Sequence, residues 1–179
     1  MTTRIVIVFL SFMAFACQPK EEANQKPFYD LAGLVKNEVV YLQSTATKVT
    51  KEVMINGKKE EINPETVDWT KELAFFTEAD INKAAYLNSY HKEELPSSEI
   101  YTLKADESEP VKSLTIVFDT TGKVSNVKAV LTSENYLYNS ERTIEMKLAN
   151  EHLTDYHISG WQRLFIGTEK TFDIKGTVN

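Results

Sequence analysis

From Tyr86 onward the apolar residues of this chain recur at every second position, and seven successive segments keep that period: 86–92, 99–104, 112–119, 124–131, 136–148, 152–162 and 164–174. A period of two puts alternate side chains on opposite faces of an extended strand, so this part of the chain is committed to sheet. The clearest segment places Leu114, Ile116 and Phe118 on one face and Ser113, Thr115 and Val117 on the other. Asp119, Thr120, Thr121, Gly122 and Lys123 then close it as a hairpin turn. Seven strands joined by short links imply an antiparallel meander.

A sheet with one apolar face needs a cover, and only the preceding segment can supply one. Phe28, Leu31, Leu34, Val35, Val39 and Leu42 fall at helical spacing, which predicts an amphipathic helix over about 28–45. Asn63 and Pro64 offer an N-cap and a first helical residue ahead of Trp69, Leu73 and Phe76 on one stripe, which predicts a second helix over about 64–78. Residues 78–85 suggest one more short helical turn. Between the helices, two β-patterned arms flank Asn56 and Gly57, a pair suited to a tight primed turn. The second arm is almost wholly charged and is expected at an edge. The fold class is therefore α+β: N-terminal amphipathic helices packed on a curved antiparallel β-meander of about seven strands plus a β-hairpin, forming one domain over 28–179.

The chain opens with one positive charge, Arg4, followed by twelve uncharged residues, 5–16, before Cys17. Twelve helical residues span about 18 Å, short of the roughly 30 Å hydrocarbon core, so 1–16 reads as a cleaved signal peptide rather than a permanent span. Ala14, Phe15, Ala16 and Cys17 resemble the lipobox of bacterial lipoproteins, with Ala14 where Leu is usual. The resemblance implies acylation of Cys17 and a membrane partner held through that lipid anchor. Cys17 is the only cysteine, which excludes an intramolecular disulfide. Residues 17–27 then form the lipidated cysteine and a polar tether with nothing to bury. Lys20, Glu21 and Glu22 resemble the short Lys-plus-acid signal that routes Bacteroidota lipoproteins to the cell surface. The expected address is the outer membrane, surface-facing, with the periplasmic leaflet as the alternative.

The chain carries 20 basic and 26 acidic side chains, and removing the leader takes away one of the basic ones. A net negative domain argues against nucleic acid as a partner. No catalytic constellation is legible: the one cysteine is assigned to the anchor, no nucleophile elbow occurs, and no glycine-rich loop could cradle a phosphate. His152 and His157 stand five apart, on opposite faces of a regular strand, so no metal site is expected. The acidic run from Asp106 to Glu109 lacks the ligand order of a calcium loop. The expectation is no cofactor and no enzyme, with catalysis kept as a minor alternative.

One strand carries a cation where alternation predicts an apolar face. Tyr136, Tyr138, Ser140, Arg142, Ile144, Met146 and Leu148 share a side, and a buried guanidinium needs an anionic partner or ligand. Arg142 with Tyr138, Tyr101, Tyr156 and Trp161 is therefore the candidate lining of a ligand concavity, unless the tyrosines are simply core-edge residues.

Phe28 to Leu31, the Asn56 and Gly57 hairpin, Asp68 with Trp69, Glu72 with Leu73, Glu78 to Lys83 and Ser159 to Gln162 together resemble a group of short uncharacterised Bacteroidota lipoproteins. That group implies the address and the fold and brings no activity with it. Two non-catalytic functions stay open. One is a binding module for an envelope protein or glycan, and the other is a carrier or sensor of a small apolar or anionic ligand between helices and sheet.

Overall fold

The computed structural model describes residues 26–179. The leader, Cys17 and the tether as far as residue 25 lie outside the described residues. Helix α1 spans Leu31–Ser44 and is capped by Asp30, whose side chain accepts the Gly33 N–H at 2.8 Å. Leu31, Val35, Glu38 and Leu42 form its buried stripe. Strands β1 (Val49–Ile55) and β2 (Lys58–Ile62) follow, joined at Asn56 and Gly57, both with positive φ.

The helix expected over 64–78 is present only from Trp69 onward, and as two pieces: α2 (Trp69–Glu72) and α3 (Ala74–Glu78). Asp68, not Asn63, supplies the cap, accepting the Lys71 N–H at 3.2 Å. The start is fixed by Trp69, fully buried, whose indole N–H donates to the Thr47 carbonyl at 3.3 Å. Leu73, also buried, separates the two turns, and a 3-10 turn at Ala84–Tyr86 leads into the meander.

The meander has the seven expected strands: β3 (Tyr90–Leu95), β4 (Ser98–Leu103), β5 (Val111–Phe118), β6 (Val124–Glu134), β7 (Tyr138–Ala149), β8 (His152–Leu164) and β9 (Lys170–Val178). The N-terminal hairpin is not a separate ribbon. Strand β1 pairs antiparallel with β9, giving one nine-stranded sheet in the order β2-β1-β9-β8-β7-β6-β5-β4-β3. A single row crosses it from Tyr101 through Leu114, Ala129, Ile144, Ile158 and Ile174 to Val53. This apolar face packs against Leu31, Val35, Leu42, Trp69, Leu73 and Phe76 of the helical segments, so the core lies between one sheet and one helical layer. The opposite face is polar, as alternation requires.

Both edges are charged. Strand β2 is exposed throughout and reads Lys58, Lys59, Glu60, Glu61, while β3 exposes His91, Lys92, Glu93 and Glu94. Charged edges oppose pairing with a further strand, so the sheet ends where it does.

Candidate functional site

The five side chains considered for a ligand concavity do not converge. Arg142 points to the helical face, where its Nη1 lies 3.3 Å from the Glu78 carboxylate and its guanidinium sits over the Phe75 ring, 4.5 Å from the centroid. The anion that a half-buried arginine requires comes from α3 of the same chain. Tyr156 lies on the same face one strand along, where its hydroxyl donates to Glu72, which also holds Lys51 Nζ at 3.0 Å. Burial, then the neighbouring Glu72, push the Tyr156 phenol above its ordinary range.

Tyr101 is fully buried on β4, three strands from β7. Its hydroxyl donates to Glu99 and accepts the Tyr29 N–H at 3.0 Å. Burial first, then the hydrogen bond to Glu99, push its phenol up to about 12. Trp161 alternates with Ile158 and Gly160 onto the polar face, with the Arg163 guanidinium 6.0 Å from its ring. Tyr138 stands at the far end of β7, half-exposed, with its hydroxyl 3.2 Å from that of Ser133.

The histidines also go to separate partners. A bulge does interrupt β8 opposite Lys147 and Leu148, yet His152 stacks on Tyr41 and lies 3.3 Å from buried Glu38, while His157 lies 2.9 Å from Asp173 on the polar face. Among the described residues no group of three His, Cys, Asp or Glu is placed to hold a metal ion. Around His157 the polar face carries Glu145, Lys147, Asp155 and Lys175 along an open cleft of about 280 Å³. Strand register sets Lys128, Glu145, His157, Lys175 and Glu52 side by side. Four of the five are charges alternating in sign, an arrangement that stabilises neighbouring strands.

Among the described residues, six exposed apolar side chains gather in a tip at one end of the sheet. The turn between β6 and β7 exposes Tyr136, Leu137 and Tyr138, and the turn between β8 and β9 exposes Leu164, Phe165 and Ile166. Tyr136 is 84% exposed, Phe165 83% and Ile166 84%. Register sets Tyr138 opposite Leu164, and the Phe165 N–H donates to the Leu137 carbonyl at 2.8 Å, so the two turns form one surface.

Their shape is built locally. The Asn135 side chain accepts the N–H groups of Leu137 at 2.8 Å and Tyr138 at 3.0 Å, an Asx-type turn that satisfies the backbone and turns the apolar side chains outward. Gly167 takes a φ of 146°, which a side chain would resist. Strands β6, β7 and β8 are the longest in the sheet. From Arg142, where α3 reaches β7, four more residues run to Tyr138, about 13 Å at the rise of a strand. The tip therefore projects past the contact with α3. Burying side chains of this size is worth roughly 1.5–3 kcal/mol each, so the tip carries a large unspent driving force.

Of the residues singled out in the sequence, only Tyr138 belongs to this tip. Period two carries the last strand from Leu164, whereas Leu164 ends β8, 165–169 form the turn and β9 starts at Lys170. The signal was present, because Leu164, Phe165 and Ile166 are three consecutive apolar residues, which alternation does not allow in a half-buried strand.

No protein-family model matches the chain, no curated protein matches its sequence, and no solved structure matches its fold. Among the described residues no helix is long and apolar enough to cross a membrane.

Proposed function

We propose that this chain is a lipoprotein of the bacterial envelope, acylated at Cys17, whose folded part is a non-catalytic binding module with the apolar tip as its contact surface. The observation that carries the reading is the tip itself: six apolar side chains held outward by satisfied turns, while Arg142, Tyr101 and Tyr156 are all engaged within the chain. The anchor is supported by the apolar leader and by the place of the single cysteine at its end. The Lys20, Glu21 and Glu22 triplet favours the cell-surface side of a Bacteroidota outer membrane.

The engagement of Arg142 by Glu78 and Phe75 weighs against the carrier reading, since a carrier would keep its cation for the ligand. A catalytic reading would need converging groups with a reason to react, whereas the polar face sets charges of alternating sign along neighbouring strands.

The anchor is tested by growing cells on a labelled fatty acid. The native chain is expected to take up label and fractionate with membranes, and Cys17→Ser to lose both. Label retained in Cys17→Ser contradicts the anchor. The contact surface is tested in the same cells with a photo-reactive side chain placed at Tyr136 or at Lys128 on the polar face. Adducts are expected from position 136 and not from 128, and the reverse pattern contradicts the assignment.

A further inference from the structure

We infer that the apolar tip enters the boundary between headgroups and acyl chains of a phospholipid bilayer, giving the domain a second contact with the membrane beside its N-terminal anchor. The inference deepens the binding-module reading and rests on it. The shape of the site favours a fluid partner over a protein. A stable protein interface takes about 20–30 residues from each side, whereas this surface offers six apolar side chains on two adjoining turns. Strand addition is opposed by the charged edges, Lys58 to Glu61 and His91 to Glu94.

The chemistry is graded along the projecting strands. Residues 135–140 and 164–168 contain no charge, and the most exposed members are Phe165, Ile166 and Tyr136. Behind them stand amphipathic rings: Tyr138, whose hydroxyl meets Ser133, and then Trp161 on the other face of β8. Aromatic rings with a polar group favour the headgroup level, with purely apolar side chains leading them into the bilayer. The nearest charges, Glu134, Glu141, Arg163, Glu169 and Lys170, are mixed in sign and lie behind the uncharged stretches. Such a tip draws on burial and not on anionic lipid.

The anchor and the tip can reach one surface together. Phe28 packs against Tyr101, which is level with Ile144 in the sheet. From there the tip lies about 20 Å along the strands and about 14 Å across three of them, roughly 25 Å in all. The ten residues from Cys17 to Lys26, nine steps of chain, reach up to about 30 Å when extended. A chain held at Cys17 therefore has length enough to let the tip touch the same bilayer.

The test uses the chain from residue 17 as Cys17→Ser, without lipid, mixed with phosphatidylcholine vesicles at millimolar lipid. Residues 26–179 contain the whole sheet and its helical cover, so this chain retains the folded part. It is expected to float with the vesicles at low and at high salt alike. Phe165→Ser with Ile166→Ser is expected to weaken flotation at least about tenfold. In a Trp161→Phe background, Phe165→Trp is expected to be quenched by lipids brominated on the acyl chain, while Trp69 stays buried and unaffected.

Absence of flotation, flotation that high salt abolishes, or unquenched Trp at 165 overturns the inference. A dimer in solution that the same two serines dissolve, without flotation, overturns it in favour of a second copy. Because the tested chain is unlipidated, failure here leaves the fatty-acid result at Cys17 standing, and failure there leaves this one standing.

Discussion

The Phe165 N–H donates to the Leu137 carbonyl at 2.8 Å, joining the β6–β7 and β8–β9 turns backbone to backbone. Since Asn135 and this bond fix the backbone, the exposed side chains contribute little to folding. Phe165→Ser and Ile166→Ser are each expected to change stability in denaturant titration by no more than about 0.5 kcal/mol. A loss above about 1 kcal/mol would mean that these side chains belong to the core.

Glu72 joins the helical layer to the sheet by accepting from both Tyr156 and Lys51. Glu72→Ala leaves a buried phenol and a half-buried ammonium without their acceptor, at an expected cost of about 1–3 kcal/mol. Glu72→Gln keeps one acceptor oxygen and is expected to cost less. Equal losses, measured by the same titration, would show that packing alone matters at this position.

Tyr156 also explains a glycine. A Cβ at Gly176 would fall 2.1 Å from Tyr156 Cζ, so the ring lies against bare backbone of β9. Gly176→Ala is expected to lower stability by roughly 1–3 kcal/mol. Combined with Tyr156→Leu it should cost less than the sum of the two changes, because the clash is gone. Strict additivity in the double variant would contradict the contact.

Alkaline pH should loosen the sheet through Tyr101. Its phenol is raised from 10.0 to about 12 in the folded chain, so the folded form holds the proton more tightly than the unfolded one. The resulting stability is fully present below pH 10 and is lost as pH rises to about 12, a contribution of order 3 kcal/mol. Tyr90 and Tyr156 shift in the same direction and steepen the fall. Denaturation midpoints from pH 9 to 11.5 should decline less steeply in Tyr101→Phe. Equal slopes would contradict the assignment.

Much of the fold is legible in local chemistry. Alternation marks the number of meander strands and the bounds of the middle five, while its first segment starts four residues early and its last six; Asn56 with Gly57 marks the hairpin, and the spacing from Leu31 to Leu42 marks α1. The joining of β1 to β9 is a long-range pairing that no local pattern encodes. The start of α2 was displaced because Asp68 is as good a cap as Asn63, and burial of Trp69 decided between them. For the site, inward placement of Arg142 followed from period two, but its partner Glu78 lies 64 residues away and is set by how α3 crosses the sheet. Tyr101, Tyr156 and Trp161 lie on different strands or opposite faces, a separation set by strand order and face together and not by local pattern.

Under the proposed placement, the tip is covered when the protein sits in the bacterial envelope. Ile166→Cys and Lys128→Cys, each with Cys17 acylated, can be compared for their rate of reaction with a water-soluble maleimide in intact envelopes and again after purification. Slow reaction is expected at 166 and fast reaction at 128 in envelopes, with 166 becoming fast once purified. Equal rates at the two positions in envelopes would contradict that placement.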